Sequence, residues 1–264
     1  MSHFDNGVQS AYKNLMTLTD IAGLPLELDV EGCEVSFPGV DICPEYSERI
    51  FSKAKQFYLD GCSDGDRVLY KMWRDVHLPE HEELIRNSKL RYDIVLICSG
   101  QVGREYIKTI GHYHPKADED EAYPEIYEVL HGEGVLLLQD ENIADAIAVP
   151  VKAGNQVFIP PGYGHISINT GDECLVFSNI LSDYFTSVYG VMEKNCGGVY
   201  YLTKSEGGPE WIENPNYQKH PTLRTLGPGQ MPMIVGLSGP LYTNLIEDPF
   251  RFACLKNPRL CPSF

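Results

Sequence analysis

No stretch of this 264-residue chain approaches 18 consecutive apolar residues, which argues against a membrane-spanning helix. The opening residues, MSHFDNGVQSAYKNLMTL, lack a basic start followed by an apolar run and do not read as a secretory signal. Positive charge is scarce: 21 Lys and Arg stand against 37 Asp and Glu, a formal net charge of −16. Such a surface repels a polyanion, so nucleic acid is a poor partner. A small anion is not excluded, because a bound metal and a few backbone N–H groups can reverse the field locally. There is no G-x-G-x-x-G dinucleotide fingerprint, and none of the eight cysteines forms a C-x-x-C pair. With no export signal, the thiols are expected to be reduced, in a cytoplasmic protein.

What is present divides along the chain. At 43% hydrophobic, the sequence can bury a sizeable core, and one main domain with appendages is the starting expectation. Residues 1–90 are mixed and read as an extension packing on the main body. Within them PEYSERIFSKAKQFYLDGC (44–62) has apolar residues near helical spacing, which predicts a helix stopped by Gly61. From Tyr92 the pattern changes to short segments rich in β-branched and aromatic residues: YDIVLIC, REYIKTI, EIYEVL, GVLLLQ, AIAVPV, NQVFIP, HISIN and CLVFSNIL. Turn residues separate most of them, which predicts an all-β sandwich or barrel over residues 91–205. Residues 206–264 are rich in Pro and Gly and read as an arm over the barrel or a partner subunit.

Three motifs carry chemistry. In GHYHP, alternate residues of a strand face the same way, so His112 and His114 project together and can grip one metal ion. In EIYEVLHGEG, Glu125 opens a second strand whose face it shares with Tyr127 and Val129, and HGEG is expected to be a hairpin turn with His131 facing solvent. In GNQVFIPPGYGHISIN, Pro-Pro-Gly makes a rigid turn before a strand that begins with an inward His165. Three imidazoles and a carboxylate form a mixed N/O set suited to one divalent ion, Fe(II) or Mn(II) first, with Zn(II) and Ni(II) as further candidates. Ten residues separate His114 from Glu125; Glu119 and Glu121 lie closer, but only Glu125 has Gly132 at the matching distance behind it. The acidic stretch ADEDEAYP then reads as a solvated loop. Alternation alone puts Lys108, not Thr109, on the face of His112, unless Gly111 marks a bulge that resets the register.

The spacing of Gly154, Pro160, Gly162, His165 and Asn169 reproduces the second cupin motif. More specifically, GREYIKTIGHYH (103–114), EIYEVLHGEGVLLLQ (125–139) and VFIPPGYGHISINTGDE (157–173) resemble the cupin-type glucose-6-phosphate isomerases of archaea and bacteria. The resemblance implies a cupin, a double-stranded β-helix or jelly-roll barrel, with an N-terminal helical and strand extension and a C-terminal arm. It implies metal ligands at His112, His114, Glu125 and His165, catalysis by Glu125 and Tyr127, and phosphate or substrate contacts at Thr109, Gly111 and Tyr189. It further implies a sugar-phosphate substrate and a homodimer, while charge and the lack of a long apolar run set aside nucleic-acid and membrane partners. Three positions depart from the family pattern on the phosphate side: Val95, Leu181 and Ser187. They keep open a different sugar phosphate, another cupin enzyme such as an Fe(II) dioxygenase, or a sensor that binds without turnover.

Overall fold

The computed structural model describes residues 15–60, 65–119 and 121–262; the expected helix stop Gly61, and Cys62 beside it, lie outside the described residues. Along the chain, β1 (Leu15–Thr17), β2 (Glu27–Asp29) and β3 (Glu34–Ser36) form a small antiparallel sheet. Strands β4 (Glu45–Ile50), β5 (Val68–Arg74) and β6 (Leu90–Ile97) follow, then the short β7 (Gln101–Val102) and β8 (Glu105–Tyr106). The barrel continues through β9 (Glu125–His131), β10 (Glu133–Asp140), β11 (Ala146–Lys152), β12 (Gln156–Ile159), β13 (Tyr163–Asn169) and β14 (Leu175–Ser182). Last come β15 (Tyr200–Ser205), β16 (Gly208–Glu213) and β17 (Leu223–Thr225).

Two sheets face one another. One runs β12–β9–β14–β6–β5–β4, the other β13–β10–β11–β17, and a third, β16–β15–β8–β7, packs against them. The fold is the all-β cupin barrel. Each central strand alternates between two cores. Tyr127, Val129 and Phe177 point into the barrel, while Ile126, Leu130, Val176 and Ile180 point out of it. The outward set is also buried, under Leu24, Leu26 and Leu28 from the N-terminal segment and Leu241, Tyr242, Leu245 and Phe252 from the C-terminal one. Burial on both faces explains why these strands read as nearly unbroken apolar runs.

Several local expectations change. Residues 45–50 are a strand, followed by one helical turn at Phe51–Ala54 and a 3-10 turn at Lys55–Phe57. The apolar spacing from Ile50 to Tyr58 does form these short turns, while the residues ahead of it are extended because β4 pairs with β5 and satisfies its backbone groups, with Tyr46 packed on Trp73 at 5.3 Å between ring centres. HGEG is not a hairpin. β9 lies between β12 and β14, β10 between β13 and β11, so Gly132 passes the chain from one sheet to the other. Its φ of +79°, and a Cys174 carbonyl oxygen 2.6 Å from where a Cβ would stand, require glycine. His131 consequently ends a strand, its side chain 12% exposed and 3.1 Å from the Glu173 carboxylate, instead of facing solvent in a turn. The last segment is only partly an extended arm: β17 adds to β11 in parallel, and a helix then forms at Leu241–Glu247.

Candidate metal centre and substrate cleft

The site forms where the segment before β9 crosses the end of β13. His112 and His165 face each other across a two-way backbone bridge, with N–H to carbonyl distances of 3.3 and 3.0 Å. Further back, Lys108 stands opposite Ile168. Four steps on one strand thus span three on the other, a bulge of one residue. Gly111 carries it at φ +76°, where a Cβ would meet Ile166 Cγ1 at 2.4 Å. The bulge resolves the alternation conflict. Thr109 and Gly111 line the same cleft as His112. Lys108 turns the other way, buried 2.7 Å from Glu105 and 4.2 Å above the Tyr58 ring centre.

One donor atom from each of His112, His114, Glu125 and His165 lies within 4.8 Å of the other three. Glu125 is the carboxylate of the cluster; Glu119 is exposed in its loop, and Glu121 is not a member. Glu125 Oε2 sits 3.3 Å from His114 Nε2 and 3.2 Å from His165 Nε2. Yet these three buried atoms make no hydrogen bond, because their geometry does not align donor with acceptor. Leaving three buried polar atoms unpaired is costly unless something binds them together. His114 Nδ1 lies 2.9 Å from the Tyr123 carbonyl oxygen, which can only accept, so Nδ1 carries the proton and Nε2 offers its lone pair to the centre. His165 Nδ1 approaches the Tyr163 carbonyl similarly at 3.5 Å. The residues therefore fit one divalent cation, whose bonds to imidazole and carboxylate are about 2.0–2.2 Å.

The electrostatics agree. Burial would raise the Glu125 carboxyl, but the His114 and His165 rings beside it outweigh that effect and hold the group well below the usual carboxylate range. Burial, then the neighbouring His165 and His114, push His112 well below its ordinary value and favour neutral imidazole. Tyr127, buried and beside Glu125, is pushed well above the normal phenol range and stays protonated.

The centre opens into a partly enclosed cleft that holds ≈ 620 Å³ of space when the open solvent at its mouth is included. His112, Glu125, Tyr127, Thr109, Gly111 and Tyr189 all line it, and the Tyr189 ring centre is 5.7 Å from that of His112. Val95, Leu181 and Ser187 line it too. Sequence reasoning missed Asn179, whose amide donates to Glu125 Oε1, and Phe185, whose ring lies against His114 at 4.5 Å. Asn179 left one signal, a lone amide on the inward face of an apolar strand. It also missed the guanidinium groups of Arg74 and Arg91.

The sequence pattern of the family described as glucose-6-phosphate isomerase (GPI) matches residues 52–220. The chain is 34% identical over 154 residues to a glucose-6-phosphate isomerase of Thermococcus onnurineus, covering 58% of this chain and 75% of the relative. It is 30% identical over 176 residues to a glucose-6-phosphate isomerase of Pyrococcus abyssi, covering 64% and 87%. A bacterial relative, described as a putative glucose-6-phosphate isomerase 1 of Rhizobium meliloti, is 29% identical over 156 residues, covering 57% and 70%. Residues 221–264 lie beyond the family match.

Proposed function

This chain belongs to the glucose-6-phosphate isomerase family, and from that premise we propose that it is a metal-dependent enzyme working through the His112, His114, Glu125 and His165 centre. The reaction is the interconversion of glucose 6-phosphate and fructose 6-phosphate. The observation that carries the metal assignment is the set of three buried, unbonded donor atoms on His114, Glu125 and His165. The mixed imidazole and carboxylate donors suit Fe(II), Mn(II), Zn(II) or Ni(II) better than Ca(II) or Mg(II).

The reaction moves one proton between C1 and C2 and one between the two oxygens they carry. A bound divalent ion supplies Lewis-acid stabilisation of the negative charge that develops on those oxygens. Glu125, in the cleft wall between His112 and Tyr127, is the base that takes the proton from carbon and returns it to the neighbouring carbon, by way of an enediolate. Asn179 holds the other carboxylate oxygen and limits its rotation. Tyr127, protonated and buried beside Glu125 on the cleft wall, shuttles the oxygen-bound proton. The Thr109 hydroxyl accepts the Ser167 N–H at 3.0 Å, which leaves its own proton free to donate to a phosphate oxygen, with Gly111 beside it. Tyr189, beside His112 in the cleft wall, contacts the sugar.

Family resemblance supports a cytoplasmic homodimer acting in glycolysis or gluconeogenesis. The chemical test is a coupled assay converting fructose 6-phosphate to glucose 6-phosphate, on chelated protein given Mn, Fe, Zn or Ni separately. Turnover restored by a divalent metal is expected. A folded protein inert with every metal would retire the isomerase reading, and complete absence of solvent hydrogen at C2 would remove Glu125 from the base role.

A further inference from the structure

The cleft extends from His112 and Glu125 across the inner face of the six-stranded sheet. One step beyond the Trp73–Ile94 pair stand Arg74 and Asp93, and the same rung continues through the Asp93–Asn179 and Asn179–Tyr127 pairs. Strands lie ~4.8 Å apart, so Arg74 enters the cleft roughly 14 Å of backbone distance from Tyr127. Its side chain and the phenol narrow that gap to the scale of an open-chain hexose phosphate.

The two arginines of the cleft differ in company. Arg91 gives Nε and Nη2 to both oxygens of Asp93 at 2.8 to 3.1 Å, a close charge match. Arg74 has looser contacts: 3.4 Å to the Glu45 carboxylate, which is 73% exposed, 3.3 Å to Ser47 Oγ and 3.4 Å to Met72 Sδ. A pair with an exposed carboxylate is screened and contributes little. Meanwhile Val95 and Leu181, which line the same cleft, offer an anion neither charge nor a side-chain donor. A chain of net charge −16 needs a local cation to hold a dianionic group. Arginine suits phosphate because its planar fork donates two parallel hydrogen bonds.

We propose that Arg74 binds the phosphoryl group of the substrate, opposite Thr109, and makes this barrel selective for a phosphorylated sugar. The inference rests on the isomerase reading and adds to it a specificity-determining residue. Glu45 then competes with the substrate for the same guanidinium, so the two substitutions have effects of opposite sign.

The test uses metal-loaded protein: wild type, Arg74→Ala, Arg74→Lys and Glu45→Gln, each checked for an unchanged urea midpoint. Steady-state kinetics with fructose 6-phosphate are run beside calorimetric titration with inorganic phosphate. Arg74→Ala is expected to raise KM and weaken phosphate binding by roughly 10- to 100-fold while kcat moves by only a few fold. Arg74→Lys recovers part of the loss, and Glu45→Gln tightens binding by a few fold. Equal phosphate affinity and equal KM in wild type and Arg74→Ala would overturn the assignment. Wild-type protein that binds phosphate through Arg74 yet shows no turnover with any metal would overturn the isomerase reading and leave the anion site standing.

Discussion

Asn179 donates its side-chain amide to Oε1 of Glu125 and so leaves Oε2 facing the His114 and His165 rings. The two residues sit on adjacent strands, both buried, Asn179 at 5% and Glu125 at 2% exposure. An amide anchor of this kind fixes the direction in which a carboxylate offers its lone pair.

Removing that anchor is expected to loosen the metal and leave the fold intact. Asn179→Ala should weaken metal affinity by roughly 10- to 100-fold. Competition with a chelator, read by metal content, checks this. Unchanged affinity would show that the histidines alone orient Glu125.

Gly111→Ala is expected to cost stability as well as activity. The new Cβ would stand 2.4 Å from Ile166 Cγ1, in a residue already at φ +76°. Ile166 is 1% exposed and has little room to move. Backbone strain and overpacking together predict a loss of about 2–4 kcal/mol in urea unfolding. A loss below about 0.5 kcal/mol, within the range of ordinary surface substitutions, would mean the bulge can be made without glycine.

Glu128 predicts a pH dependence. Burial raises its carboxyl from 4.5 to about 7, against the lowering effect of hydrogen bonds from the Leu241 N–H and the Gln156 amide. The folded protein therefore holds a proton that the unfolded chain has released. Its contribution is fully present below pH 4.5, declines as pH rises, and is lost above about 7. The amount is on the order of 3 kcal/mol. Urea unfolding at pH 5 and pH 8, wild type against Glu128→Gln, isolates the term: the substitution should flatten the slope. Parallel slopes would place the titration elsewhere.

Leu245 is wholly buried in the helix that covers the outer face of the main sheet. Leu245→Ala is expected to destabilise by about 2–5 kcal/mol through lost transfer energy and a residual cavity. Denaturant midpoints at constant m-value check it. A loss below about 1 kcal/mol would indicate a tail that detaches before the barrel unfolds.

The barrel and its centre were legible in sequence for a physical reason. The two-residue spacing of His112 and His114, in a segment bridged to β13, the start of β9 at Glu125 and the turn around Pro160–Gly162 bring the four side chains together. What escaped depends on distant pairing. Nothing local tells residues 45–50 that β5 offers an open edge, so the helical spacing of Ile50, Phe51, Ala54, Phe57 and Tyr58 was visible while the strand ahead of it was not. Register across four strands brings Arg74 to the cleft, and no nearby spacing records that. HGEG carries the composition of a hairpin, yet which sheet each flanking strand joins is decided by the whole barrel. Gly111 lay between: the glycine was visible, but only the pairing partners on β13 show which way the extra residue shifts the count.

Strand β9 presents Glu125 and Tyr127 to the cleft and Ile126 and Leu130 to the layer built from the two ends of the chain. The chemistry and the terminal segments thus share one ribbon of backbone, and neither side of it can be disturbed in isolation. A lesion in the tail, far from any substrate atom, would reach the carboxylate by tilting the strand beneath it.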